Sequence, residues 1–458
     1  MDITRLYSLF TAHPAVTTDS RRITPGSLFF ALRGPSFNGN DFASQALHDG
    51  CAAVVVDDPA VVPPHDERYV LVPDVLGALQ ALAREHRRHF SGTVLQVTGT
   101  NGKTTTKELL RAVLSTTYNV LATEGNLNNH IGVPLTLLRL TAAHEVAIIE
   151  TGANHPGEIA ALTDIVRPDM ALITSVGHAH IEGFGSFEGV KRTKGELYDY
   201  IATVPEAIIF LNASDADLTA MAAERGLTTP DGRSRSQDAA SRAVTYATTG
   251  SHADADVVGS VAGTTPLLTM CWQQRGGSVH EVQTQLFGLY NLTNLLSAIA
   301  VGTHFGISAQ AVSNALAAYV PTLGRSELRH TAHNTLICDA YNANPTSMHA
   351  ALDSFAAVAH PHKMVILGDM RELGADSHSE HRAVVRQLQG TGCEEAWLVG
   401  AELERALQAE GEPQGVRVRT FADADAVRQT LAETPVAGHC ILIKGSNSTR
   451  LHTLPPML

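Results

Sequence analysis

The sequence predicts an α/β protein of three domains, each built on a mostly parallel sheet. Three observations carry this. The 458-residue chain is longer than one ordinary core accommodates, since domains average ~100–200 residues. Short apolar runs rich in Val, Ile and Leu recur along it, each ending in glycine or a polar residue and followed by a segment of helical spacing, as in βα units. At residues 93–108 (TVLQVTGTNGKTTTKE), strand, glycine turn and helix are contiguous.

Residues 1–87 form the first, small α/β unit. The runs 27–32 and 52–56 read as strands, and 42–50 and 75–88 as helices. Two polar clusters border them, one carrying Thr18, Ser20 and Arg21, the other Arg33 and Gly34. Ligand-binding loops of α/β domains occupy such strand ends, and plain solvated turns have the same composition.

The second domain, 88–322, is organised around Thr98, Gly99, Thr100, Asn101, Gly102, Lys103, Thr104 and Thr105. Glycines let the backbone curl so that several N–H groups and a helix N-terminus point at one phosphate. Lys103 then reaches the outer phosphates and the Thr104 hydroxyl suits Mg²⁺. The pattern is the shorter GxxGKT variant, with Val97 where the general motif has glycine. A surface turn with a solvated lysine is the bland alternative, and it leaves the strand–turn–helix context unexplained.

Further along, the run 146–149 ends in Glu150, and 170–176 leads into His178 and His180. In a parallel sheet the strand C-termini share one edge, which predicts these groups near the glycine turn. A carboxylate and an imidazole there suit Mg²⁺ or water; either histidine alone could equally be structural, and no cysteine or third histidine at ligand spacing favours zinc. Asn126, Asn128 and Asn129 form a polar loop able to bind phosphate or sugar oxygens or simply to turn the chain. Lys191, Arg192 and Lys194 read as a solvated helix face. Residues 245–287 alternate like strands, 291–305 have helical spacing, and 321–325 read as a linker.

The third domain, 323–458, carries four more strand-like runs at 336–338, 364–367, 396–399 and 441–443, which describes a Rossmann-like unit. It lacks G-x-G-x-x-G, which argues against a nicotinamide cofactor. The formal charge of −13 argues against nucleic acid as the main partner. Five scattered cysteines without CxxC pairing suit reduced thiols. No apolar run approaches signal-peptide or membrane-spanning length, so a cytoplasmic protein without membrane insertion is expected. Monomer is the default expectation.

These pieces together resemble the Mur ligases, ATP-dependent amide-bond-forming enzymes of bacterial peptidoglycan synthesis. Eleven motifs carry the resemblance in order: TTDSRRITPGSLFFALRG, VTGTNGKTTT, EGNLNNHIGVPLTLL, IIETGANHPGEI, GHAHIEGFGS, TKGELY, GLYNLTN, GRSE, DAYNANPTSM, LGDMRELG and KGSNS. DAYNANP and LGDMRELG, with no DNPR, match the branch that joins D-alanyl-D-alanine to UDP-N-acetylmuramoyl-tripeptide rather than the sibling that adds the third residue.

The resemblance implies a uridine-binding first domain, an ATPase central domain and a closing third domain. It implies that Lys103 and the turn backbone cradle ATP, that Thr104 and Glu150 hold one Mg²⁺, and that His180 holds a second. Lys194, in TKGELY, matches the lysine that the family carbamylates with CO₂, with Lys191 as the alternative. Asn291 would meet adenine, and Arg325 and Asp339 the nucleotide on closure. Thr18, Ser20, Arg21, Arg33 and Gly34 would bind the uridine diphosphate, Asn126, Asn128 and Asn129 the muramoyl-peptide side, and Asn342, Asn344 and Asp369 the dipeptide and closure surface. Tyr290 stands in GLYN where the family often has histidine.

Overall fold

A computed structural model describes residues 2–177, 181–228, 242–264, 266–322 and 324–458. Near the N-terminus, Val16–Thr17, Leu28–Phe30, Ala53–Val56 and Tyr69–Leu71 pair in that order, all parallel. The helix Val75–Arg88, started by Asp74 accepting from two of its orphan N–H groups, shares a core with Leu6 and Phe10 on one side and Leu137, Ile165 and Val166 on the other. Its last turn is pinned by the buried Arg87, which donates to Val166 O (3.1 Å), Arg167 O (2.9 Å) and Asp169 Oδ2 (2.9 Å).

The strand Thr93–Thr98 lies between Met170–Ile173 and Val146–Glu150 in a parallel sheet, with Val120–Ala122 at one edge and Ile208–Asn212 and Ala243–Thr248 beyond the other. It is buried almost throughout, which explains its near-continuous apolar run; its polar exception, Gln96, donates to Thr151 Oγ1 and Thr163 Oγ1. The helix begins at Lys103, because Gly102 at φ 80° lets the chain turn directly into it. Its face of Leu109, Leu110 and Val113 packs in one core with Leu295 and Ile299 of the helix Asn291–His304.

The alternating region is antiparallel, Val257–Gly263, Leu267–Gln274 and Val279–Phe287, and one further strand, Glu327–His330, carries the ladder into the C-terminal sheet. That sheet has five parallel strands in the order Arg417–Phe421, Glu395–Val399, Lys363–Gly368, Cys440–Lys444, Thr335–Asp339. The fifth, Arg417–Phe421, escapes sequence reading because it is a half-solvated edge with little apolar content. After Lys444 the chain makes short 3₁₀ turns that bury Leu451, Leu454 and Leu458. Among the described residues no helix is long and apolar enough to cross a membrane.

Candidate active site

The strands 93–98, 146–150 and 170–173 end at one edge, and there a cleft of about 860 Å³ opens between the central and C-terminal sheets. Its floor is the glycine turn. Gly99 has φ 143°, and a Cβ there would lie 2.1 Å from Thr174 Oγ1; one on Gly102 would lie 2.5 Å from Asn294 Oδ1. Only glycine fits either place. Ser175 holds the loop by accepting from Thr100 N through its carbonyl (2.8 Å) and from Asn101 N through Oγ (3.1 Å). Lys103 Nζ donates to Gly99 O (2.8 Å) and Thr100 O (3.0 Å), and burial pushes its pKa down. Thr98 is fully buried beneath the loop, its hydroxyl donating to Thr151 O.

Glu150 is 1 % exposed. Its Oε1 accepts from Thr104 Oγ1 (3.1 Å) and Asn128 Nδ2 (2.7 Å), while Oε2 is buried without a hydrogen-bond partner among the described residues. An orphaned carboxylate oxygen beside a hydroxyl, at the foot of a phosphate-binding turn, is a hard-oxygen donor set that suits Mg²⁺ completed by phosphates and water. Among the described residues no group of three or more His, Cys, Asp or Glu side chains could hold a metal ion by themselves.

Lys194 is 2 % exposed on the inner face of the helix Phe187–Thr203, so the solvated face expected from spacing is corrected: the periodicity marks a helix but not which side meets the core. Among the described residues no hydrogen bond or ion pair is seen at its ammonium, which lies 5.7 Å from the centroid of the Phe184 ring. Burial, reinforced by Lys103, pulls its pKa down to about 7. Lys191, one turn away, is paired with Glu188 (2.6 Å) and Asp217 (3.3 Å). His180, with His178, lies outside the described residues.

The opposite wall comes from the C-terminal sheet. Asn101 and Asn344 bond each other across the seam, Asn344 Nδ2 donating to Asn101 Oδ1 (2.8 Å), and Asn344 also caps the helix Pro345–Ala356. Asn291 lines the cleft but is fully buried, its amide donating to Phe287 O (2.7 Å) and Ser326 Oγ (3.0 Å) while Oδ1 accepts from Asn294 (2.9 Å). Asp339 accepts from Ser326 N (3.1 Å) and Lys444 Nζ (2.7 Å), and Tyr290 OH lies 3.0 Å from Ser326 Oγ. Arg325 stacks at 3.7 Å on Tyr341, its Nε buried without a hydrogen-bond partner among the described residues. Asn126, Asn128, Asn129 and Asn342 also line the cleft, although Asn129 Oδ1 serves the first turn of the helix Gly132–Leu137.

Two sets of expected residues are not brought to this cleft. Asp369 is buried, its carboxylate accepting from Glu402 N (3.2 Å) and Leu403 N (3.0 Å) at the start of the helix Ala401–Glu410. Thr18, Ser20, Arg21, Arg33 and Gly34 lie at the C-terminal edge of the first sheet, where Arg33 Nε donates to Asp57 Oδ1 (2.8 Å) and Arg21 pairs with Asp19. Sequence reasoning passed over Lys444, Tyr341, Ser326 and Asn294, all of which line the cleft. Lys444 stands at a strand end in KGSNS, a signal that could have found it.

Family models match in three blocks: the Mur ligase family catalytic domain over 14–87, the Mur ligase middle domain over 97–302, and the Mur ligase glutamate ligase domain over 324–447. A UDP-N-acetylmuramoyl-tripeptide--D-alanyl-D-alanine ligase of Escherichia coli (strain K12) is 36% identical over 444 residues, 95% of this chain and 92% of that one. The chain belongs to the Mur ligase family. Another Mur ligase, the enzyme of the same name from Bacillus subtilis (strain 168), is 33% identical over 96% of this chain and 92% of its own. Among solved Mur ligases, MurF from Acinetobacter baumannii superposes with a TM-score of 0.81 at 29% identity, covering 97% of this chain and 96% of that one. MurF ligase from Thermotoga maritima, in complex with ADP, gives 0.81 at 25% identity, covering 97% of each chain.

Proposed function

We infer that the protein is an ATP-dependent ligase that joins D-alanyl-D-alanine to UDP-N-acetylmuramoyl-tripeptide, releasing ADP and phosphate and giving the pentapeptide precursor of peptidoglycan in the bacterial cytoplasm. The observation that carries this is the cleft itself, in which a phosphate-binding turn, a buried lysine and a buried carboxylate with one oxygen unpartnered among the described residues meet, in a chain similar to such ligases over 95% of its length. Residues 1–87 would hold the uridine diphosphate through Thr18, Ser20, Arg21, Arg33 and Gly34, 88–322 the ATP, and 323–458 the closing wall.

Amines do not attack carboxylates directly. The tripeptide carboxylate therefore takes the γ-phosphoryl group of ATP, the amine of the dipeptide attacks the acyl phosphate, and the tetrahedral adduct expels phosphate. The turn backbone and Lys103 orient the phosphates and meet the charge that develops on them. Thr104 and Glu150 would hold Mg²⁺, which when bound neutralises phosphate charge. Asn344 against Asn101 keeps the C-terminal wall over the turn, and this shields the acyl phosphate from water.

With a pKa of about 7, Lys194 is largely the neutral amine at pH 8, the form that adds to CO₂. Its nitrogen bonds the carbon, one proton leaves to solvent, and the neutral amine becomes a carbamate anion beside the nucleotide. This carbamate, with His180, would serve a second Mg²⁺.

Phosphate release from ATP and Mg²⁺ is measured with the UDP-linked tripeptide, with and without D-alanyl-D-alanine, for the wild type and Lys194→Ala with and without short-chain acids. Release requiring both substrates, lost in the variant and partly restored by acid, is expected. Release indifferent to the dipeptide refutes the assignment.

A further inference from the structure

Lys107 is a charged residue that the proposed reaction leaves unused, yet its side chain is fully buried in the helix behind the glycine turn. An interior ammonium is costly to desolvate, and an apolar side chain of similar length would cost less. Its Nζ donates to Thr123 O (2.5 Å) and pairs with Glu108 Oε1 (2.9 Å); Glu108 is also held by Arg111 (2.7 Å). Thr123 follows the strand Val120–Ala122 and opens the polar loop. Its hydroxyl accepts from Glu150 N (3.0 Å), and five residues on, Asn128 donates to Glu150 Oε1 (2.7 Å). Among the described residues, two of the three hydrogen bonds that side chains make with Glu150, the third being from Thr104, thus come from the segment that Lys107 ties to the helix.

We propose that Lys107 is a positioning residue for the metal site: through Thr123 it holds Glu150 and Asn128 so that the free carboxylate oxygen faces the phosphates. The inference rests on the reading of Glu150 as the magnesium-binding carboxylate. Partners that orient metal ligands are worth ~10–100-fold in affinity when removed.

Mn²⁺ binding to the full-length protein saturated with ADP is measured by electron paramagnetic resonance, and ADP affinity without metal by calorimetry. Lys107→Met is expected to weaken Mn²⁺ about tenfold and leave metal-free ADP affinity within about twofold. Thr123→Val, which removes only the hydroxyl, is expected to weaken Mn²⁺ in the same direction, whereas Thr123→Ser restores it; this pair tests the proposal if Lys107→Met does not fold. A role in helix stability alone would lower the melting temperature and leave Mn²⁺ affinity unchanged, and that result overturns the proposal. So does a parallel loss of metal-free ADP affinity. A Glu150→Gln variant that binds Mn²⁺ as well as the wild type refutes the reading of Glu150 instead.

Discussion

Replacing Lys194 by methionine should stabilise the central domain while abolishing ligation. A lysine whose pKa falls from 10.5 to about 7 on folding costs stability at every pH where the unfolded chain holds the proton, because the folded chain must then either bury the charge or give the proton up. At ~1.4 kcal/mol per pH unit the full cost is about 5 kcal/mol. It applies below pH 7, shrinks as pH rises through 7 to 10.5, and vanishes above. Methionine has similar length and no charge, so the advantage of Lys194→Met should follow the same curve. The two tryptophans allow a local readout, since Trp272 is buried in the central sheet and Trp397 in the C-terminal one. In a Trp397→Phe background, urea unfolding followed by Trp272 fluorescence in carbonate-free buffer should show the difference between lysine and methionine growing from near zero at pH 10.5 to several kcal/mol at pH 7. Bicarbonate should narrow it by stabilising only the lysine form. A difference independent of pH between 7 and 10 refutes the reasoning, because the buried amine would then not be titrating on folding.

Three other outcomes are expected. Gly99→Ala puts a Cβ 2.1 Å from Thr174 Oγ1 at φ 143°, and a strain of about 2 kcal/mol or more should weaken ADP by ~30-fold or more in calorimetry. Glu150→Gln keeps an oxygen for Thr104 and Asn128 but removes the charge, so Mg²⁺-dependent phosphate release should fall at least ~100-fold, with the fold unchanged by circular dichroism. Arg87→Ala leaves the carbonyls of Val166 and Arg167 without their donor, while the half-exposed Asp169 carboxylate keeps Val94 N, which should cost about 1–3 kcal/mol of unfolding free energy in urea without altering metal-free ADP affinity.

Much of this protein is decided locally and can be read from residue order. The run 93–98, the glycines after it and the helix beyond specify a phosphate-binding turn because steric freedom at Gly99 and Gly102 and the burial of a parallel strand are properties of a few neighbouring residues. The same holds for Val75–Arg88, whose Asp74 cap and apolar stripe lie within the segment. Other features depend on what arrives from elsewhere in the chain. Lys194 looks like part of a solvated face until Phe184 and Lys103 enclose it, and enclosure sets its pKa. Asp369 looks like a site residue in LGDMRELG, but the helix Ala401–Glu410 takes its carboxylate. Lys444 meets Asp339 only because their strands are neighbours in the C-terminal sheet, and Asn291 becomes a bridge between Ser326 and Asn294 only when two sheets join. Periodicity and turn chemistry are short-range, so the sequence alone determined the elements and the phosphate turn; strand order and desolvation are long-range, and these the tertiary structure decided.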